Sequence, residues 1–133
     1  MNIYTSYFAK GKTLKAKKVR MVSIALYPPT NVKCLRMPSL APTHSILFDK
    51  YRTEDRYTHR YLSEVLGKLD AQKVLSEIKA LGNGEDVALC CYEKPGEFCH
   101  RHIVAKWLTD NTGVVVEEYG MSKNKPAVEQ TLF

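Results

Sequence analysis

The 133-residue sequence is 44% apolar and 26% charged, with a formal net charge of +6, the balance of one ordinary globular domain over residues 1–133 and not of a disordered or two-domain chain. A chain of this length buries about two-thirds of its unfolded surface, so neither a disulfide frame nor a structural metal is needed for folding. Apolar runs such as Val87–Cys91 fall far short of the ~20 residues that cross a bilayer, and the opening residues have no secretory pattern, so a cytoplasmic protein with no membrane partner is expected.

Charge is uneven: residues 1–60 hold 12 Lys and Arg against 3 Asp and Glu, while residues 61–133 hold 8 against 11. A positive N-terminal half attracts phosphates, nucleic acid or an acidic partner. The four cysteines, Cys34, Cys90, Cys91 and Cys99, are expected as reduced thiols in a cytoplasmic protein.

In chain order, Ile3–Phe8 and Val19–Leu26 mix β-branched, aromatic and hydroxyl residues and read as strands. Lys10–Lys18 between them is basic and fits a short amphipathic helix or a loop equally. Four prolines between Pro28 and Asp49 predict an ordered irregular segment with at most a short strand or turn. The spacing of Leu62, Val65, Leu66 and Leu69 predicts a helix over 53–66, halted near Gly67. A second helix follows Asp70 as cap, buries Val74, Leu75, Ile78 and Leu81, and stops at Gly82-Asn83-Gly84. Asp86–Tyr92 is a continuous apolar strand of the kind buried in the middle of a parallel sheet. A turn at Pro95-Gly96, a helix over 99–109 and a strand over 114–118 complete the pattern, and Val128, Leu132 and Phe133 suit a short closing segment.

The strand-helix-strand unit at 86–118 predicts parallel strands, and the whole a small three-layer, Rossmann-like α/β domain with a mainly parallel central sheet. In such sheets ligands bind beyond the carboxyl ends of the strands, which directs attention to Cys91-Tyr92-Glu93-Lys94-Pro95-Gly96-Glu97-Phe98-Cys99-His100-Arg101-His102. Two thiols, two imidazoles, a guanidinium and two carboxylates lie in this stretch, ending in the first turn of a helix, whose free N–H groups bind anions and lower the pKa of a nearby thiol. Arg101 opposes the helix dipole there and needs an anion to compensate it: a phosphate ligand, Glu93 or Glu97.

Leu89-Cys90-Cys91-Tyr92-Glu93 followed by Cys99-His100-Arg101 resembles the signature of the family termed domain of unknown function 488. Tyr4–Phe8, Ser23–Pro29 and Leu40-Ala41-Pro42 extend the resemblance over most of the chain. The resemblance implies an α/β fold with Cys91, Glu93, Cys99, His100 and Arg101 gathered at one site. Many members carry an acid and an arginine in the second strand, where this sequence has Ser23 and Ala25.

The function expected is binding, and processing, of a nucleotide or other phosphate-bearing small ligand. Cys99, Cys91 and Glu93 are the catalytic candidates, and His100, Arg101, Tyr92, Ser6 and Tyr7 the ligand-binding ones. Nucleic-acid binding is an alternative, through Lys15, Lys17 and Lys18 with the i, i+4, i+8 stripe Arg52, Arg56 and Arg60, beside which Tyr57 and Tyr61 would stack on bases. The third class is a metal-binding or partner-binding module. No cofactor is expected; zinc is the alternative, through Cys91, Cys99, His100 and His102 with Glu93 as a further ligand, although the two histidines, two apart on a helix, face different ways.

Overall fold

The computed structural model describes residues 1–121, so the closing segment expected around Val128, Leu132 and Phe133 lies outside the described residues. Five strands, β1 (Ile3–Tyr7), β2 (Val19–Ser23), β3 (Leu35–Arg36), β4 (Asp86–Cys91) and β5 (Val116–Glu118), form one parallel sheet in the order β3-β2-β4-β1-β5. Five helices accompany it: α1 (Gly11–Ala16), α2 (His44–Leu47), α3 (Glu54–Glu64), α4 (Ala71–Gly82) and α5 (His100–Thr112). None is long and apolar enough to cross a membrane.

β4 lies between β2 and β1, and its unbroken apolar run is explained by burial on both faces. Successive side chains of a strand point to opposite faces. Val87 and Leu89 therefore join the larger core, with Val22, Ile24, Tyr61, Ile78, Val104 and Leu108 beneath α2–α5. Ala88 and Cys90 join a smaller one with Phe8, Leu14, Val19 and Ala25 beneath α1. Helices thus cover both faces of the sheet, which makes the predicted three layers. Burial of Leu14 resolves Lys10–Lys18 as helical, a 3-10 turn at Phe8–Lys10 leading into α1.

Caps set the helix starts. Thr53 Oγ1 accepts the Arg56 N–H at 3.1 Å, and Asp70 Oδ1 accepts those of Gln72 at 2.9 Å and Lys73 at 3.3 Å. Of the predicted stripe, Val65 and Leu66 are buried and Leu69 packs against the core, all just past the end of α3; within α3, Tyr57 and Tyr61 are buried and Leu62 is exposed. Helix α2 was not predicted; Thr43 nucleates it by accepting the Ile46 N–H at 3.2 Å, and Ile46 anchors it in the core.

The connections from β1 through α1 and from β4 through α5 run over opposite faces, and β1 and β4 are neighbours. Ligands in such sheets sit beyond the carboxyl ends of the strands, and the crevice here opens past β2 and β4, with no β1 residue in its lining. Cys91, the last residue of β4, stands at that edge.

Candidate functional site

Beyond Cys91 the chain makes a tight turn, in which the Glu97 N–H donates to Lys94 O at 3.1 Å and Glu97 Oε1 accepts the Lys94 N–H at 3.2 Å. Gly96 supplies the positive φ of 89° that this turn requires. The chain then enters α5 with Cys99 at the N-cap position. Because β4 side chains alternate, Cys91 faces α5 and Cys90 faces the opposite core.

Cys91 and Cys99 are joined by a disulfide, while Cys34 and Cys90 are free. The expectation of four reduced thiols is therefore corrected. The turn brings the α5 N-terminus back over the end of β4, which places these two sulfurs together. Burial pushes the Cys90 thiol well above its ordinary pKa, so it is the inert kind of cysteine.

Arg101 is fully buried and wholly committed within the protein. Its Nε and Nη2 donate to Glu118 Oε1 and Oε2 at 3.0 and 3.1 Å, and its Nη1 donates to Cys91 Sγ at 3.0 Å. The compensating anion is thus Glu118 of β5, not Glu93, Glu97 or a phosphate. A planar fork on a carboxylate is the strongest ordinary way to hold a buried guanidinium. Thr5 Oγ1 donates to the same carboxylate at 2.7 Å and fixes it from β1.

His100 is 6% exposed, with Nε2 2.7 Å from Ile24 O and Nδ1 3.7 Å from Cys99 Sγ. A carbonyl only accepts, so Nε2 carries the hydrogen and Nδ1 turns its lone pair toward Cys99. Burial first, and then the Arg101 charge, lower the His100 pKa to about 4, which leaves a neutral imidazole at pH 7. His102 lies on the other side of α5, bordering a groove between α5 and β5; its pKa is also lowered, by burial and then by Arg101.

A cleft of about 110 Å³ opens above this layer. Its lining includes Cys91, Cys99, His100 and Glu93, four aromatic residues (Tyr27, Tyr57, Tyr92 and Phe98), and Arg52. The Arg52 guanidinium lies 5.5 Å above the Tyr57 ring, and its Nη1 donates to Leu47 O at 2.9 Å. Tyr92 Oη donates to Tyr27 O at 2.5 Å and ties the turn after β4 to the segment after β2. Ala25 also borders the cleft, and Ser23 is buried with its Oγ accepting the Ala25 N–H at 3.3 Å.

Of the residues predicted from sequence, Cys91, Tyr92, Glu93, Cys99 and His100 share this cleft, and Arg101 lies beneath it. Ser6 and Tyr7 do not line it. Ser6 is buried, and its Oγ has no hydrogen-bond partner among the described residues. Tyr27, Tyr57 and Phe98 were missed as cleft residues, as was Arg52, which had been read on a different surface. The rule that ligands sit past strand ends, applied to β2 as well as β4, points to Tyr27. Nothing local in the sequence points to Glu118.

The basic set is partly rearranged. Lys15, Lys17 and Lys18 are exposed on and just after α1. Arg56 pairs with Asp49, and Arg60 pairs with Asp49 at 3.3 Å and Glu64 at 2.7 Å and donates to Ser45 O at 2.9 Å. Tyr57 and Tyr61, expected to stack on bases beside this stripe, are core residues instead.

A family model described as "Active DUF488-N3 subclade" matches residues 5–112. No curated protein and no solved structure matches the chain at a significant level.

Proposed function

The chain belongs to the DUF488 family, and from that membership and the cleft we propose that it binds a nucleotide-like or other phosphate-bearing small ligand and processes it through the Cys91 thiolate. The observation that carries this reading is the 3.0 Å contact from Arg101 Nη1 to Cys91 Sγ at the base of the cleft. A guanidinium donating to sulfur favours the thiolate, the reactive form of cysteine. The neutral His100 beside Cys99 gives the second sulfur no comparable cation, so Cys91 is the nucleophile and Cys99 its redox partner. The subclade's description as active accords with a site that carries chemistry.

The cleft volume of about 110 Å³ is below the roughly 300–1,000 Å³ of sites that enclose a drug-sized molecule. It receives one ring or one anionic head and leaves the rest of the ligand in solvent. Four aromatic residues offer ring contacts, and Arg52 with the N-terminus of α5 supplies positive potential for a phosphate. In the reaction, a bond forms from Cys91 Sγ to an electrophilic ligand atom as the leaving group departs with its electron pair. Glu93, on the same cleft, protonates that group. Water then attacks the thioester-like or thiophosphate link, gives its proton to the Glu93 carboxylate and releases the Cys91 thiolate, so acid and nucleophile are both restored and the net reaction is hydrolysis. Cys91 held by Cys99 has no lone thiolate, so the disulfide form is the resting one.

Timed alkylation of reduced protein with iodoacetamide, mapped by mass spectrometry, tests this reading. Cys91 is expected to react first near neutral pH, and Arg101→Lys, which keeps the charge and loses the fork, to slow it about tenfold. Equal rates at Cys91 and Cys99 would remove Cys91 as the nucleophile. A panel of nucleoside monophosphates and simple phosphates, screened by thermal shift, identifies the ligand class, with Arg52→Ala expected to lose the response.

A further inference from the structure

We infer that reduced Cys91 and Cys99 together with His100 form a site for one thiophilic divalent cation of the zinc type, which regulates the cleft by capping the nucleophile. The two Sγ atoms and an imidazole nitrogen all lie within 4.8 Å of one another and border the same cleft. Thiolate and imidazole are the donors such ions prefer. Three protein donors leave a fourth position facing the cleft, the open arrangement of a site that exchanges water or ligand.

An independent observation comes from the far side of the imidazole. Metal-binding histidines almost always donate their other ring N–H to a carbonyl or carboxylate, which fixes the tautomer and aims the free nitrogen. His100 does so, with Nε2 2.7 Å from Ile24 O and Nδ1 on the Cys99 side. The backbone is consistent with this use. The Cα atoms of Cys91 and Cys99 stand 7.4 Å apart, beyond the roughly 4.4–6.8 Å usual for a disulfide. Two thiolates on a tetrahedral ion lie ~3.8 Å apart, a wider sulfur spacing that this span accommodates. Two thiolates balance the charge of the ion, and Glu118 already balances Arg101. His102 faces the α5–β5 groove and stays outside the donor set.

The reaction balances as follows: two small thiols, which leave as their own disulfide, or a phosphine and one water, which leave as the phosphine oxide, supply the two electrons and two protons that convert the Cys91–Cys99 disulfide to two thiols, and the arriving cation displaces those two protons. The inference rests on the proposed function in two respects, that the Cys91–Cys99 pair can be reduced in the folded protein and that Cys91 is the nucleophile the cation caps.

Full-length protein is reduced with a phosphine under anaerobic conditions, its thiols are counted, and Co²⁺ alone is added as the probe. The expected result is a rise from two free thiols to four, counted after quenching and denaturation so that buried Cys90 is included, then binding of one equivalent of Co²⁺ to the folded reduced protein with a thiolate-to-metal charge-transfer band that Zn²⁺ abolishes. His100→Ala is expected to weaken binding at least about tenfold, Cys99→Ser to remove the band's two-thiolate intensity, and Cys34→Ser to change nothing. In the wild-type chain, bound Zn²⁺ is expected to protect Cys91 and Cys99 from alkylation, a readout that needs no variant to fold. Four thiols without Co²⁺ binding would overturn the cation site and leave the nucleophile reading standing. Protection of other cysteines, or binding undiminished in His100→Ala, would overturn it as well. Failure to release any thiol from the folded chain would overturn both readings.

Discussion

Arg101 and His100 are neighbours in sequence with opposite solutions to burial. Each guanidinium nitrogen donates to Glu118 or Cys91, whereas the imidazole gives up its charge because burial, and then the Arg101 charge, outweigh its one bond to a carbonyl. The consequence is a pH dependence of known sign. His100 titrates near 6.5 when exposed and near 4 in the folded protein. Within that window the unfolded chain binds a proton that the folded one refuses, so stability falls on acidification from neutrality toward pH 4 and falls no further below it from this group. The loss is on the order of 3 kcal/mol. Urea unfolding of the disulfide form at neutral pH and at about pH 4.5 measures it, and His100→Gln is expected to flatten the pH slope by most of that amount; parallel slopes would show that His100 is not the group responsible. The members of the site on the strand-turn-helix segment were legible in the sequence because local chemistry concentrates there. The anion for Arg101 was not, since Glu118 reaches it only through the placement of β5 beside β1, a contact with no local trace.

Elements were legible where a periodic apolar pattern and a cap agreed, as in α4 with Asp70 and Gly82-Asn83-Gly84, and in β4 with its continuous run. Within α3 the inward positions are tyrosines and not Leu62, because Tyr61 satisfies its hydroxyl by donating to Leu40 O at 2.5 Å and so enters the core. α2, a helix of a single turn, has no period to read. The end of α4 carries a packing constraint that a stop signal alone does not reveal. A Cβ at Gly82 would stand 2.8 Å from Val87 Cγ2 and also meet Met1 Cε. Met1 is a flexible tip, but Val87 is part of the central strand. Gly82→Ala is therefore expected to destabilise the fold by about 1–3 kcal/mol despite the better helix propensity of alanine. Chemical denaturation measures this, and a neutral or stabilising result would show that α4 lifts from β4 without cost. Because β4 ends in Cys91, the same variant is expected to leave the order of cysteine alkylation rates intact.

At the scale of the whole molecule, the question is whether the Cys91–Cys99 bond is a staple for the fold or a chemical device carried by it. The disulfide closes a loop with a sequence separation of only 8, and chain-entropy arguments give such a loop about 2.5 kcal/mol of stabilisation. Against this stands a sheet with a core on each face, one beneath α2–α5 and one beneath α1, and a chain long enough to bury most of its surface unaided. The Arg101–Glu118 pair links α5 to β5 whether or not the sulfurs are joined, and Thr5 holds the same carboxylate from β1. Reduction is therefore expected to lower the melting temperature by roughly 10 °C and to preserve one cooperative transition. Calorimetry of the oxidised and phosphine-reduced protein at neutral pH decides the point. A reduced chain with no transition would make the bond a structural staple and would exclude the reduced site on which nucleophilic use of Cys91 depends. A reduced chain that melts cooperatively leaves the pair free to open and close on a standing scaffold, as chemistry at this cleft requires.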